Sequence, residues 1–145
     1  MGSTHPFDPP DSHADRRIHD PDAEQWERSY AMWTHLAPLI AFVLVIASSG
    51  IAFFTPPLAA LVLWLIKRQE STFVDDHGRE AVNFHVSLLV LFLPAILLGV
   101  LLCGVGVLVT LPAWALLGII GGAMASSAAS RGDFYRYPAC IRILT

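Results

Sequence analysis

The residues of this 145-residue chain that could do chemistry gather in one stretch, KRQESTFVDDHGREAVNFHVS, from Lys67 to Ser87. Glu80, Asn83 and Ser87 follow one another at i, i+3 and i+7, one side of a helix, with Asp76 one turn earlier. His77 and Arg79 lie between them, and His35 stands in the apolar tract before. A carboxylate, an amide and a hydroxyl in one row can hydrogen-bond to backbone or line a path for an ion or solute. At a membrane boundary such groups are costly unless paired, which makes the row a candidate functional position. Two readings stay open. One is a polar collar that caps and orients a helix, with Glu80 paired to Arg79, Lys67 or Arg68, and Asn83 bonded to a hairpin turn or to His35. The other is a solute path.

Other chemistries find little support. His35, His77 and Glu80 are the one conceivable metal set, but there is no CxxC, no HExxH and no second helical His pair. No cofactor is expected. The glycines at 118–122 lie within an apolar run instead of following a strand, so they are no phosphate loop. No nucleophile elbow or triad order is visible, and no enzyme is expected. The basic residues are few and adjoin apolar tracts, which suits anionic lipid rather than nucleic acid.

The elements that must position these residues follow from charge segregation. Residues 34–66 and 81–130 contain no Asp, Glu, Lys or Arg. A membrane helix needs about 20 apolar residues, so the second tract holds two spans and a turn. The first is harder to place. As one helix it would be about 50 Å long, against a hydrocarbon core of about 30 Å. Ser48-Ser49-Gly50 and Pro56-Pro57 also break it. Two short helices meeting near 49–56 fit, with the turn's backbone covered by protein. The expectation is an all-α integral membrane protein with four membrane helices, at about 22–48, 56–68, 74–103 and 107–130. The first two form a re-entrant-like hairpin and the last two are transmembrane.

Asp75 and Asp76 are expected to cap the third helix, Pro94 to kink it, and Gly104-Val105-Gly106 to turn the chain. In the last helix Gly118, Gly122, Ser126 and Ser130 are four apart, a small-residue face for close helix approach. The expected partner is the Pro94-containing helix, with a homodimer as the alternative.

Residues 1–21, rich in Pro, Asp, His and Ser, read as a disordered cytoplasmic tail. The irregular spacing of His5, His13 and His19 suits a solvated segment. No signal peptide or myristoylation motif is expected. Trp26, Tyr30 and Trp33 share a helical face and suit a membrane interface. The helical membrane domain is expected over 22–138. The segment 131–145 reads as a cytoplasmic interfacial tail, with Phe134, Tyr135 and Tyr137 beside Arg131, Arg136 and Arg142. Cys103 and Cys140 suggest no disulfide. The positive-inside rule puts Lys67, Arg68, Arg79 and the tail arginines in the cytoplasm. That gives a multi-pass protein of the bacterial inner membrane with both termini cytoplasmic.

Several blocks carry a resemblance: Glu27-Arg28, Ala31-Met32, Thr34-His35-Leu36, Leu63-Trp64-Leu65-Ile66-Lys67, Phe73-Val74-Asp75, His77-Gly78-Arg79-Glu80-Ala81-Val82-Asn83-Phe84 and Tyr135-Arg136-Tyr137-Pro138. Over about residues 25–145 the chain resembles a small bacterial membrane-protein family of unknown function (domain of unknown function 4870). That family is distantly similar to the Tic-twenty subunit of the chloroplast inner-envelope translocon. His85 stands where the resemblance leads one to expect Gln. The resemblance implies a helical membrane domain, a link to protein translocation and no catalytic residues. The expected function is a non-enzymatic membrane scaffold. Its partners would be the lipid bilayer with membrane proteins or a second copy. A channel or transporter subunit is the alternative. A pore requires polar residues converging on a cavity, whereas a scaffold requires a packed interior.

Overall fold

The apolar tracts fold into four helices in the computed structural model, which describes residues 19–48, 52–138 and 140–144. They are α1 (Gln25–Ala47), α2 (Thr55–Lys67), α3 (Thr72–Leu101) and α4 (Val107–Arg131). No strand occurs among the described residues; His19 and Asp133 form one isolated antiparallel bridge. The expected tail over 1–21 falls outside the described residues for 1–18. Asp20 is pinned, its N–H donating to Gly132 O at 2.8 Å.

Local chemistry explains where the helices begin and end. The Glu27 carboxylate accepts the Glu24 N–H at 2.6 Å, half of a capping box, so α1 begins at Gln25 rather than 22. Ser71 caps α3, its Oγ accepting from Val74 N at 3.2 Å. The helix therefore begins before Asp75 and Asp76, which lie inside it and are not its cap. Pro56 and Pro57 open α2, where a missing N–H costs nothing. α3 continues through Pro94. Cys103 (φ 56°) and Gly104 (φ 81°) make the left-handed part of the α3–α4 turn. Gly132 (φ 83°) ends α4 as a left-handed cap, its N–H reaching Ala128 O and Ala129 O.

α1 packs against all three other helices; α2 and α4 each also pack on α3 but not on one another. Absent side chains permit the closest approaches. A Cβ on Gly78 would lie 2.2 Å from the Trp64 ring, and one on Gly121 2.7 Å from Phe84.

Depth separates the two hairpins. Phe53, in the α1–α2 turn, packs tilted against Phe92 with centroids 4.6 Å apart and stacks on Trp114 at 6.1 Å. The turn is thus level with Phe92, while α3 runs on to Leu101, about 14 Å further. Part of the expected turn, 49–51, lies outside the described residues. Beyond Phe92 the α3–α4 hairpin stands alone and is apolar all round, with Leu93 71% and Leu108 76% exposed. α3 and α4 are long and apolar enough to cross a membrane, yet their most apolar windows are only 28% and 11% buried. A soluble protein's core helices would be mostly covered, so these surfaces are built to face lipid.

Candidate functional site

The polar row of α3 holds the chain's own C-terminal segment. Glu80, with its carboxylate buried, accepts from Tyr137 N at 2.9 Å and from the Arg142 guanidinium at 3.1 Å. Two turns deeper, Ser87 Oγ accepts from Ile141 N at 2.8 Å and donates to Asn83 O at 2.7 Å. The segment then climbs back. Asn83 Oδ1 accepts from Ile143 N (3.1 Å) and Leu144 N (2.9 Å), while its Nδ2 donates to Leu144 O at 2.8 Å. From Glu80 to Ser87 is a drop of about 10 Å along the helix. A non-helical backbone making that excursion needs every N–H and C=O answered by protein. The carboxylate, amide and hydroxyl in register along α3 answer five of these groups: the N–H of Tyr137, Ile141, Ile143 and Leu144 and the carbonyl of Leu144. At the rim Asp76 takes two bonds from Arg136, both 2.6 Å, and this hydrogen bonding holds the Arg136 guanidinium above its usual pKa.

Behind the row lies a buried chain of rings. Tyr137 stacks on Phe84 with centroids 3.7 Å apart, and its hydroxyl lies 3.1 Å from His35 Nδ1. Burial pushes the Tyr137 phenol well above its ordinary pKa, so it remains O–H. His35 Nε2 meets His77 Nδ1 at 2.9 Å. His77 Nε2 is buried without a hydrogen bond among the described residues. These contacts tie α1, α3 and the tail together. The two imidazoles bond to each other rather than converging on one point. No group of three or more His, Cys, Asp or Glu among the described residues could hold a metal ion.

Several pairings differ from expectation. Glu80 does not meet Arg79, Lys67 or Arg68. Arg79 is its chain neighbour, about 100° round the helix, and bonds Asp75 one turn back. Lys67 takes Glu70 at 2.6 Å, and Arg68 lies over the Trp64 ring. Asn83 reaches neither the hairpin turn nor His35 but the tail. Tyr137, Arg136 and Arg142, read from sequence as an interfacial anchor, are the other half of this site. The one signal for that pairing was a row of buried donors and acceptors with no partner nearby in sequence.

The small-residue face of α4 also packs within the chain, chiefly on α1 rather than on α3. Gly122 abuts Leu39, and Ser126 Oγ donates to Met32 O at 3.3 Å. Gly118 approaches Leu88 of α3, while Ser130 is exposed and bonds only Ser127 O. Ala129 packs with Ala31 of α1 and Phe73 of α3, and Ala125 with Phe84 and Leu88 of α3, so α4 is seated between the two helices.

These features define a helical membrane protein with two helices of spanning length and a polar row closed by its own tail. Residues 26–144 match the magnetosome magnetite crystal formation protein family (MamF/MmsF), and the chain belongs to that family. No curated protein and no solved structure matches it. The match overturns the resemblance to the family of unknown function and to the Tic-twenty translocon subunit, and the translocation link falls with it. Two of the blocks that carried the resemblance, His77–Phe84 and Tyr135–Pro138, meet in the docking of the tail, and packing residues of this kind do not carry a function.

Proposed function

We propose that this chain is a non-enzymatic scaffold of the magnetosome membrane that supports magnetite crystal formation by holding protein partners or further copies of itself. The supporting observation is that Asp76, Glu80, Asn83 and Ser87 are all committed to the chain's own tail. A solute path would keep such groups free to bind and release cargo. On this reading all four helices sit in the membrane, with α1–α2 re-entering to half depth and α3–α4 crossing. Both termini and the 67–72 loop are cytoplasmic, inserted from the bacterial inner membrane by the positive-inside rule. The far face then offers a crystal no carboxylate, since residues 34–66 and 81–130 contain none. Influence on the mineral therefore passes through partners rather than by templating.

The test has two arms. In a magnetite-forming cell, deleting the chain should change crystal size or number by electron microscopy, and unchanged crystals would remove the magnetite role. In liposomes the purified protein should pass no iron or proton flux. A flux abolished by Asn83→Leu would replace the scaffold with a channel.

A further inference from the structure

Beyond the scaffold reading, we infer that the groove between the start of α1 and the end of α4 is a lipid site, in which Arg28 receives the phosphodiester of a headgroup. The groove holds about 460 Å³ and is lined by Ala23, Gln25, Arg28, Ser29, Met32 and Ser130. Small-molecule sites span about 300–1,000 Å³, so a headgroup fits. Arg28 is the one charged residue in this lining. Trp26 and Trp33 of the same helix are exposed, and exposed Trp at the end of an apolar tract marks headgroup depth.

The fold leaves that charge unanswered. Glu24, one turn earlier, is the natural i, i+4 partner of Arg28. Its carboxylate instead accepts the Trp26 indole N–H at 2.8 Å, and the Glu27 carboxylate accepts the Glu24 N–H. The Asp20 carboxylate accepts from Asp22 N at 3.1 Å. Among the described residues no carboxylate pairs with Arg28. Its Nε is buried without a partner. The guanidinium rests against Gly132, where a Cβ would come within 3.1 Å of Nε and 3.3 Å of Cζ. The negative end of the α4 dipole draws a cation to that spot. A half-buried cation with no hydrogen-bond partner is nevertheless a cost that folding leaves standing.

The chemistry of the groove selects the occupant. A guanidinium is a planar fork of donors with no acceptor, and phosphate oxygens match it. The Gln25 amide and the Ser29 hydroxyl, both on exposed residues of the lining, add donors beside it. Charge then decides which phosphate. Asp20, Asp22, Glu24 and Glu27 stand near the approach, so a doubly charged free phosphate meets more repulsion than a singly charged phosphodiester. Met32, one turn further along α1, gives the groove an apolar wall where an acyl chain would lie. A lipid supplies both the phosphodiester and the chain.

The experiment is native mass spectrometry of the full chain in mild detergent. Its probes are dioleoylphosphatidylglycerol, dioleoylglycerol, which has the same tails without the phosphate, and inorganic phosphate. Phosphatidylglycerol should be retained about tenfold more tightly than dioleoylglycerol, and inorganic phosphate should not displace it. Arg28→Gln should erase that preference. So should Gln25→Glu, which places a carboxylate three residues from Arg28 and lets the fold answer the charge itself. Gln25 is exposed in the first turn of α1, where an acid favours the helix, so an unchanged melting temperature separates loss of the site from misfolding. Equal retention of the two lipids would reduce the groove to an apolar contact and overturn the proposal. So would displacement by inorganic phosphate, which would make it a site for the free anion, or a preference untouched by both variants.

Discussion

Replacing Asn83 by Leu should free the end of the tail while leaving the fold standing. The substitution keeps the volume but removes three bonds, those to Ile143 N, Leu144 N and Leu144 O. Three orphaned backbone groups at about 1–3 kcal/mol each would cost more than most proteins can bear if all stayed buried. They need not stay buried. Ile143 is exposed and Leu144 half-buried, so the end can peel into water and recover most of that cost. The expected loss is therefore about 2 kcal/mol, seen as earlier melting in mild detergent. Release is read separately, by thiol labelling of Leu144→Cys, at a position half-buried in the docked tail, in a chain with Cys103→Ser and Cys140→Ser. Labelling should be faster with Asn83→Leu than without it. The comparison is Asp76→Ala, which removes the two bonds to Arg136. That pair sits at the rim with Arg136 half-exposed, and its loss should cost no more than about 1 kcal/mol. If Asp76→Ala destabilises more than Asn83→Leu, the collar works by charge and the backbone-satisfaction argument is refuted.

Gly78→Ala would place a methyl 2.2 Å from Trp64 Cδ1, forcing that ring to turn and lose its 2.8 Å bond to Asp75. A loss of about 1–3 kcal/mol is expected in a melting experiment. Gly122→Leu should push Leu39 and α1 away, lowering the stability of the monomer itself. A stable monomer that loses only a cross-linkable dimer would contradict that packing. The Asp133 carboxyl is held below its usual pKa, first by the hydrogen bond from His19 and then by Arg131. Its contribution is thus present in full above the unfolded value and is lost as pH falls through the lower native one. Melting followed from pH 6 toward pH 3 should show an acid-side decline that Asp133→Asn flattens, and an unchanged decline would sink the assignment.

The helices were legible because membrane helices are written in long, charge-free runs. The α1–α2 hairpin was legible because 34–66 is too long for one span and too short for two. Pairing was not. The donors and acceptors of Glu80, Asn83 and Ser87 announce that something polar must meet them, but period and composition cannot say what. Their partners lie more than 50 residues away and are mostly main-chain groups, which every residue carries. Tyr137 was hidden for a related reason: an aromatic among arginines reads equally as an interface anchor and as a buried ring. The cap at Ser71 was missed because two aspartates a turn later gave the stronger acidic signal.

What the tail explains also shows what it leaves over. A polar residue in a membrane tract needs a reason, and docking of Tyr137, Ile141, Ile143 and Leu144 supplies one for each of Glu80, Asn83 and Ser87. His35 has both ring nitrogens partnered, by His77 Nδ1 and the Tyr137 hydroxyl, so packing accounts for it, whereas His77 keeps a buried Nε2 with no partner among the described residues. His85 is different. It lies two residues from Asn83 and two from Ser87, on another side of the helix, and its one bond to protein among the described residues is to its own backbone at Ala81. A leucine there would fill the cavity beside Trp114 without leaving an acceptor unanswered. The imidazole instead keeps its second ring nitrogen without a bond to protein among the described residues, so tail docking does not account for it.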